Sequence, residues 1–277
     1  MTFSERITAC LKENGADLVG YGSIARFDDT DARILLPGTR TVIVAAFRVL
    51  YGATVGVTEA TTYYQYTNAI ITLEETVMPI ALLRTAALLE ENGYDALPIR
   101  SCQTILPDDG TTSPEMRDDA ITRYEQPGPA LDFTDAAVRC GLGERGLHGG
   151  LLTERFGPLV RLCVLLTDAE LPETPAFTPH LCDRCGECVR ACPGHAITQD
   201  GRVDSWTCAA YYQGADRKTN PFMPEDFDMP EHPTADDLRR LMPRLERFYP
   251  SMSHDYRTSY CAKRCTLACL AHLKGMK

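Results

Sequence analysis

The chain has no long apolar run. No stretch of about eighteen consecutive apolar residues occurs among its 277 residues, so no membrane-crossing helix is expected. The opening residues, MTFSERITACLKENGADL, lack a basic segment followed by an apolar one, so no export signal is expected and the location read from this is cytoplasmic. Positive charge is scarce as well. The 28 Lys and Arg against 38 Asp and Glu leave a net charge of −10, which disfavours broad contact with nucleic acid or an anionic membrane. There is no G-x-G-x-x-G at a strand-to-helix turn and no phosphate-binding P-loop, which removes the usual nicotinamide and nucleotide sites. Internal repeats and low-complexity tracts are missing too. What is left is the composition of an ordinary globular protein, 44% apolar, with enough residues for one large domain or two smaller ones.

Cysteine is abundant, with 12 residues. In a chain without an export signal, clustered cysteines read as metal sites before they read as disulfides. The segment CDRCGECVRACP, Cys182 to Pro193, has the spacing C-x2-C-x2-C-x3-C-P. This is the bacterial ferredoxin run, whose thiolates hold a cubane [4Fe–4S] cluster. Cys182, Cys185 and Cys188 are spaced to wrap one cluster, and Gly186 lets the backbone turn tightly around it. The fourth cysteine of such a run ligates a second cluster. Each cluster then needs ligands from elsewhere, and Cys208, Cys261, Cys265 and Cys269 complete the count. The expected sets are Cys182, Cys185, Cys188 and Cys269 for one cluster, and Cys192, Cys208, Cys261 and Cys265 for the other. The run at Cys261 has C-x3-C-x3-C spacing, which departs from the usual pattern. Zinc is the competing reading, but it favours two separated C-x2-C pairs. Cys10, Cys102, Cys140 and Cys163 are read as packing residues.

The remaining pattern is that of an α/β (α+β) chain. Ser4 to Asn14 reads as a helix capped by Ser4 and stopped by Gly15. ADLVGYGSI, Thr41–Leu50 after the Pro37-Gly38 turn, YDALPIRS and LVRLCVLLTD read as strands. Residues 59–92 read as a buried helix, kinked or divided at Pro79 and stopped at Gly93. Residues 103–130 read as a long loop of the kind used as a lid or binding element. A helix then runs into Gly141-Leu142-Gly143, and a bend follows through Gly146, Gly149 and Gly150. Those glycines allow close backbone approach, either to a ligand or to another part of the chain. The Pro-rich stretch Pro172–His180 marks a boundary, dividing the chain into domains 1–175 and 176–277.

The order of these features resembles epoxyqueuosine reductases and reductive dehalogenases. The resemblance rests on GLGERGLHGGLLTERFGPLVRL, then a strand ending in TD, then the ferredoxin run. Pro37 and Gly38, and Tyr66 with Asn68, also fit, so it covers residues from about 35 to 269. It implies a nitroreductase-like cobalamin domain followed by a ferredoxin-like domain with two [4Fe–4S] clusters. In such proteins single low-potential electrons reach a corrinoid, which removes an oxygen or a halogen from substrate. Carried over by position, Gly141, Leu142, Gly143, Gly146, His148 and Gly149 would face the corrin. Three departures stand against a direct transfer of function. The acidic proton donor of epoxyqueuosine reductases falls on Pro127, with Asp132 and Asp135 out of register, and the basic residue of the bend is replaced by Leu147-His148. The tRNA-binding helical module that many of them carry past the last cysteine is the third, since eight residues follow Cys269, and the export signal of reductive dehalogenases is not expected either.

Tyr63, Tyr64, Tyr66 and His148 are the candidate proton-donating groups, with helix packing as the competing reading for at least two of the tyrosines. The favoured function is an iron–sulfur oxidoreductase that takes electrons from a low-potential donor protein. Its acceptor would be cobalamin, a flavin, a small-molecule substrate or the corrinoid of a docked protein. Alternatives are an epoxyqueuosine reductase acting on tRNA, which the acidic charge disfavours, and a cobalamin-free electron carrier. The basic stretch DDLRRLMPRLERFYP with Arg257, Lys263, Arg264, Lys274 and Lys277 reads as a solvated face, or else as a dock for an acidic donor.

Overall fold

The computed structural model describes residues 1–54, 61–62, 67–99, 131–212, 226, 230, 237, 240, 258–259 and 261–275. The chain opens with helix α1, Phe3–Glu13. Its cap is Thr2 rather than Ser4: the Thr2 hydroxyl accepts from the Glu5 N–H, and the Glu5 carboxylate accepts from the Thr2 N–H. The T-x-x-E capping box starts the helix earlier because it satisfies two orphan donors where Ser4 would satisfy one. Strand β1, Leu18–Ser23, follows, then β2, Thr41–Arg48, a short β3, Thr61–Thr62, helix α2, Met78–Glu90, and β4, Ala96–Ile99. The helix expected over 59–92, kinked or divided at Pro79, is replaced at Thr61–Thr62 by strand, and two π-helical turns, Thr67–Ile71 and Leu73–Val77, run into α2, whose first turn holds Pro79.

Helix α3, Phe133–Arg139, is capped by Asp132 and leads into a hairpin of β5, Glu144–Arg145, and β6, Leu151–Leu152. Strand β7, Val160–Thr167, closes the first part. Beyond it come α4, Glu187–Ala191, α5, Ser205–Tyr212, β8, Thr258–Ser259, and α6, Arg264–Gly275. The expected loop 103–130, Cys102, Tyr63, Tyr64, Tyr66, Pro127, and most of the basic stretch with Arg257 and Lys277 lie outside the described residues.

The main sheet has the order β1-β2-β7-β4, and every neighbouring pair is antiparallel. Its two faces bury separate cores. Ile43, Ala45, Phe47, Cys163 and Leu165 pack against Ile7 and Leu11 of α1 and Leu82 and Leu89 of α2. Val42, Val44, Ala46, Leu162, Val164 and Leu166 pack against Phe133, Ala136 and Ala137 of α3. Burial on both faces is why β2 and β7 read as unbroken apolar runs rather than alternating ones. The mixed α/β architecture thus agrees with the sequence. Cys140 and Cys163 are fully buried in these cores, and burial pushes both thiols up to about 12, as expected of packing residues. Among the described residues, no helix is long and apolar enough to cross a membrane.

The second part of the chain contacts the first beside the main sheet, in a two-stranded sheet of its own and at the turn before β7. Strand β3 pairs antiparallel with β8. A Cβ added at Gly157, just before β7, would lie 3.3 Å from Leu273 and 3.4 Å from Leu270, so α6 rests directly on that turn. On the sheet itself, Gly20 in β1 is tighter still: a Cβ there would meet the Cys140 carbonyl oxygen at 2.3 Å and the Leu142 side chain at 2.9 Å. Gly20→Ala is expected to cost about 1–3 kcal/mol through overpacking. Urea unfolding followed by circular dichroism checks this, and an unchanged midpoint would contradict it.

Candidate metal centre

Short loops and three helices gather eight cysteines. Cys182 and Cys185 lie in the loop before α4, and Gly186 caps that helix with φ +76°, a conformation available to glycine. Cys188 is on α4 and Cys192 is its C-terminal cap. Cys208 is on α5, Cys261 precedes α6, and Cys265 and Cys269 are on α6. Cys265 and Cys269 stand four residues apart on α6, one turn along the same face, and Cys188 and Cys192 are four residues apart across the end of α4.

Electrostatic coupling shows which thiols are neighbours. Burial pushes the Cys269 thiol up to about 12, and after burial come the thiols of Cys188, Cys182, Cys185 and Cys265. Burial likewise pushes Cys208 up to about 12, with Cys261, Cys265 and Cys192 as the next contributions, although the residue keeps some exposed surface. Burial raises Cys261 and Cys265 too, and Cys192 adds to both. Cys188 feels Cys265 as well as Cys185 and Cys182, so the two groups adjoin where α4 meets α6. The neighbourhoods are therefore Cys182, Cys185, Cys188, Cys269 and Cys192, Cys208, Cys261, Cys265.

The spread of the sulfurs decides between metals. A single tetrahedral zinc with Zn–S of about 2.3 Å needs its sulfurs about 3.8 Å apart. Among the described residues, the one group of three metal-binding side chains within 4.8 Å of one another is Asp183, Cys185 and His272, so no three of the eight sulfurs are that compact. A wider set suits a polynuclear cluster. Asp183 and His272 instead bond to each other and to the backbone. His272 Nε2 and Asp183 Oδ2 are 2.8 Å apart, and Asp183 Oδ1 accepts from the Cys185 N–H at 3.0 Å. The hydrogen bond from His272 holds the Asp183 carboxyl below its ordinary range. This clamp ties α6 to the loop that carries Cys182 and Cys185.

The β5–β6 hairpin reaches into the same centre. Glu144 is buried, and its Oε1 accepts from the backbone N–H groups of His180 at 3.1 Å, Leu181, and Cys182 at 2.9 Å. The Leu147 N–H donates to Cys182 Sγ at 3.4 Å. A small cavity is lined by Leu147, His148, Cys182, Cys185, Cys188 and Cys269, among others. Nδ1 of His148 accepts from the Gly150 N–H at 2.9 Å, so the ring proton sits on Nε2. Burial pushes His148 below its ordinary value, and its Nε2 is shielded from solvent with no hydrogen-bond partner. An unpaired buried donor costs about 1–3 kcal/mol unless something in the cavity accepts from it. An orphaned donor beside four clustered thiols fits a sulfur-rich group bound there.

Over parts of its length the chain is similar to epoxyqueuosine reductases and reductive dehalogenases. A 4Fe-4S binding domain family matches residues 174–197. An epoxyqueuosine reductase from Cellulophaga algicola is 38% identical over 84 residues, 30% of this chain and 27% of that protein. A tetrachloroethene reductive dehalogenase from Dehalobacter restrictus is 30% identical over 136 residues, 48% of this chain and 21% of that protein. The matches thus span about a quarter of those relatives' length. In fold, an epoxyqueuosine reductase solved with a tRNA-Tyr stem loop superposes with a TM-score of 0.55 at 15% identity, covering 98% of this chain and 81% of that one.

The glycine segment has a structural explanation that the sequence left open. A Cβ at Gly141 would fall 2.2 Å from the Pro175 carbonyl, one at Gly143 2.0 Å from the Leu152 carbonyl, and one at Gly149 3.0 Å from Val203. Leu142 packs into the core on the α3 face of the sheet. These positions press on the chain itself, so the described residues show no open cradle for a corrin there. Asp132 and Asp135 are also engaged. Asp132 accepts from the Asp135 N–H at 2.9 Å and pairs with Arg145 at 2.8 Å, while Asp135 pairs with Arg139 at 2.6 Å.

Glu144 was not singled out in the sequence, where a carboxylate between glycines reads as surface charge. Glu144→Ala would leave three backbone donors at Cys182 without their acceptor. It is expected to lower iron from about eight toward about four per chain. Glu144→Gln keeps one acceptor oxygen and should retain most of the iron. Iron analysis of the two variants purified without oxygen tests this, and equal, full loading of Glu144→Ala would contradict it.

Proposed function

We propose that the chain is an iron–sulfur reductase, with a nitroreductase-like part over residues 1–175 and a ferredoxin-like part over residues 176–277. In this reading Cys182, Cys185, Cys188 and Cys269 hold one [4Fe–4S] cluster, and Cys192, Cys208, Cys261 and Cys265 hold the other. When bound, these clusters supply one-electron transfer at low potential. The observation that carries the reading is the sorting of eight thiols into two adjoining groups, each too wide for one zinc ion.

The chain's own residues do the positioning. Glu144 fixes the approach to Cys182, and the Asp183–His272 pair closes the loop over α6. The β5–β6 hairpin joins the cluster region to the main sheet through α3 and β7, which gives electrons a short path into the N-terminal part. A low-potential protein in the cytoplasm is the donor. The acceptor is a corrinoid or an organic substrate. A reductive dehalogenase of similar fold has been solved with a suggested B12-dependent mechanism, which supports a corrinoid. The packed glycines at 141, 143 and 149 offer it no cradle. Reduction of an epoxyqueuosine-modified tRNA is the second reading, supported by the tRNA-bound neighbour. The net charge of −10 and the engaged Asp132 and Asp135 weigh against it.

Iron, sulfide and cobalt analysis of protein purified without oxygen from cobalamin-fed cells tests the proposal. About eight irons and eight sulfides per chain are expected, and a figure near four would remove the second cluster. About one cobalt per chain would make the acceptor a resident corrinoid. No cobalt, and no uptake on titration, would leave a reductase acting on a separate acceptor.

A further inference from the structure

His148 is a histidine built into a backbone turn. Its ring lies between two bare glycines. A Cβ at Gly146 would be 3.2 Å from His148 Nε2, and a Cβ at Gly150 would be 2.9 Å from Cε1. The Gly150 N–H holds Nδ1, which leaves the proton on Nε2 and makes that atom a donor. Nε2 is shielded from water and has no partner in the protein. The residue before it already donates its backbone N–H to the sulfur of Cys182, and both residues line the cavity that Cys185, Cys188 and Cys269 also line. The ring is thus held in one tautomer, at one position, with a donor and nothing yet to receive it.

We propose that His148 Nε2–H donates a hydrogen bond to the iron–sulfur cluster held by Cys182, Cys185, Cys188 and Cys269, and so raises that cluster's reduction potential. The inference rests on the two-cluster reading. A donor to sulfur favours the reduced state, because the cluster gains negative charge on reduction. His148 is then a positioning and tuning residue that makes electrons dwell on the cluster nearest the hairpin. The acceptor atom is a cluster sulfide or a ligand thiolate.

The test compares the wild-type protein with His148→Leu and His148→Gln, all purified without oxygen. Iron and sulfide are counted first, and a redox titration followed by EPR is then run on each. The expected result is about eight irons in all three proteins. One cluster's midpoint should shift downward in His148→Leu, the other should stay put, and the shift should be at least partly reversed in His148→Gln, which restores an N–H donor. Unchanged midpoints in a fully loaded His148→Leu would overturn the hydrogen bond and leave the two-cluster reading standing. Wild-type protein without clusters would overturn both. Should His148→Leu lose iron, pulsed EPR on reduced protein labelled with 15N-histidine decides. A histidine-nitrogen coupling present in wild type and absent in His148→Gln supports the bond, and the same coupling in both overturns it.

Discussion

The structure depends on a crossing. Two helices each give one thiol to each of two groups: α4 carries Cys188 and is capped by Cys192, and α6 carries Cys265 and Cys269. Because the members of each pair stand four residues apart, neither group can be completed without both helices in place. Neither group exists in an unfolded chain, so in the proposed reading iron binding and folding of this region are coupled. The clamp between His272 and Asp183, at 2.8 Å, holds the two segments in this relation.

The second constraint is how this assembly is tied to the sheet. The β5–β6 hairpin is short and glycine-rich, with Gly146 and Leu147 buried and Arg145 exposed. It carries a buried carboxylate that gathers three N–H groups at the entry to Cys182, a backbone N–H on the Cys182 sulfur, and an imidazole with a free donor. One loop thus sets the position of Cys182 and part of its electrical surroundings. Arg145 braces it from outside by bonding the Gly149 carbonyl at 3.0 Å and Asp132 at 2.8 Å. Rigid placement of ligands by packed neighbours is what a centre that changes charge without changing shape requires.

Much of this was legible in the residues. The strands β2 and β7 announced themselves because burial on both faces demands unbroken apolar runs. The cysteine spacing announced iron because tight thiol spacing has few other uses. The start of α1 was legible too, in the T-x-x-E of Thr2 and Glu5, although Ser4 is an equally good capping residue by type. Other features needed coordinates. Among its described residues the stretch before α2 buries Ile70 and leaves Thr72, Glu75 and Thr76 exposed, and its pattern cannot tell π turns from α turns. The glycines at 141, 143 and 149 announced close approach without saying to what, and the partners are carbonyls and a valine of the same chain. Glu144 and the Asp183–His272 pair carry no signal in the sequence, because their partners are backbone groups or lie far away along the chain.

The most direct test of the crossing is low-temperature EPR with iron analysis on two single variants, Cys192→Ser and Cys269→Ser, reduced without oxygen. Each should keep about four irons and one reduced-cluster signal, and the two surviving signals should differ. A variant that keeps both signals, or two variants that keep the same signal, would contradict the assignment of Cys192 and Cys269 to opposite clusters.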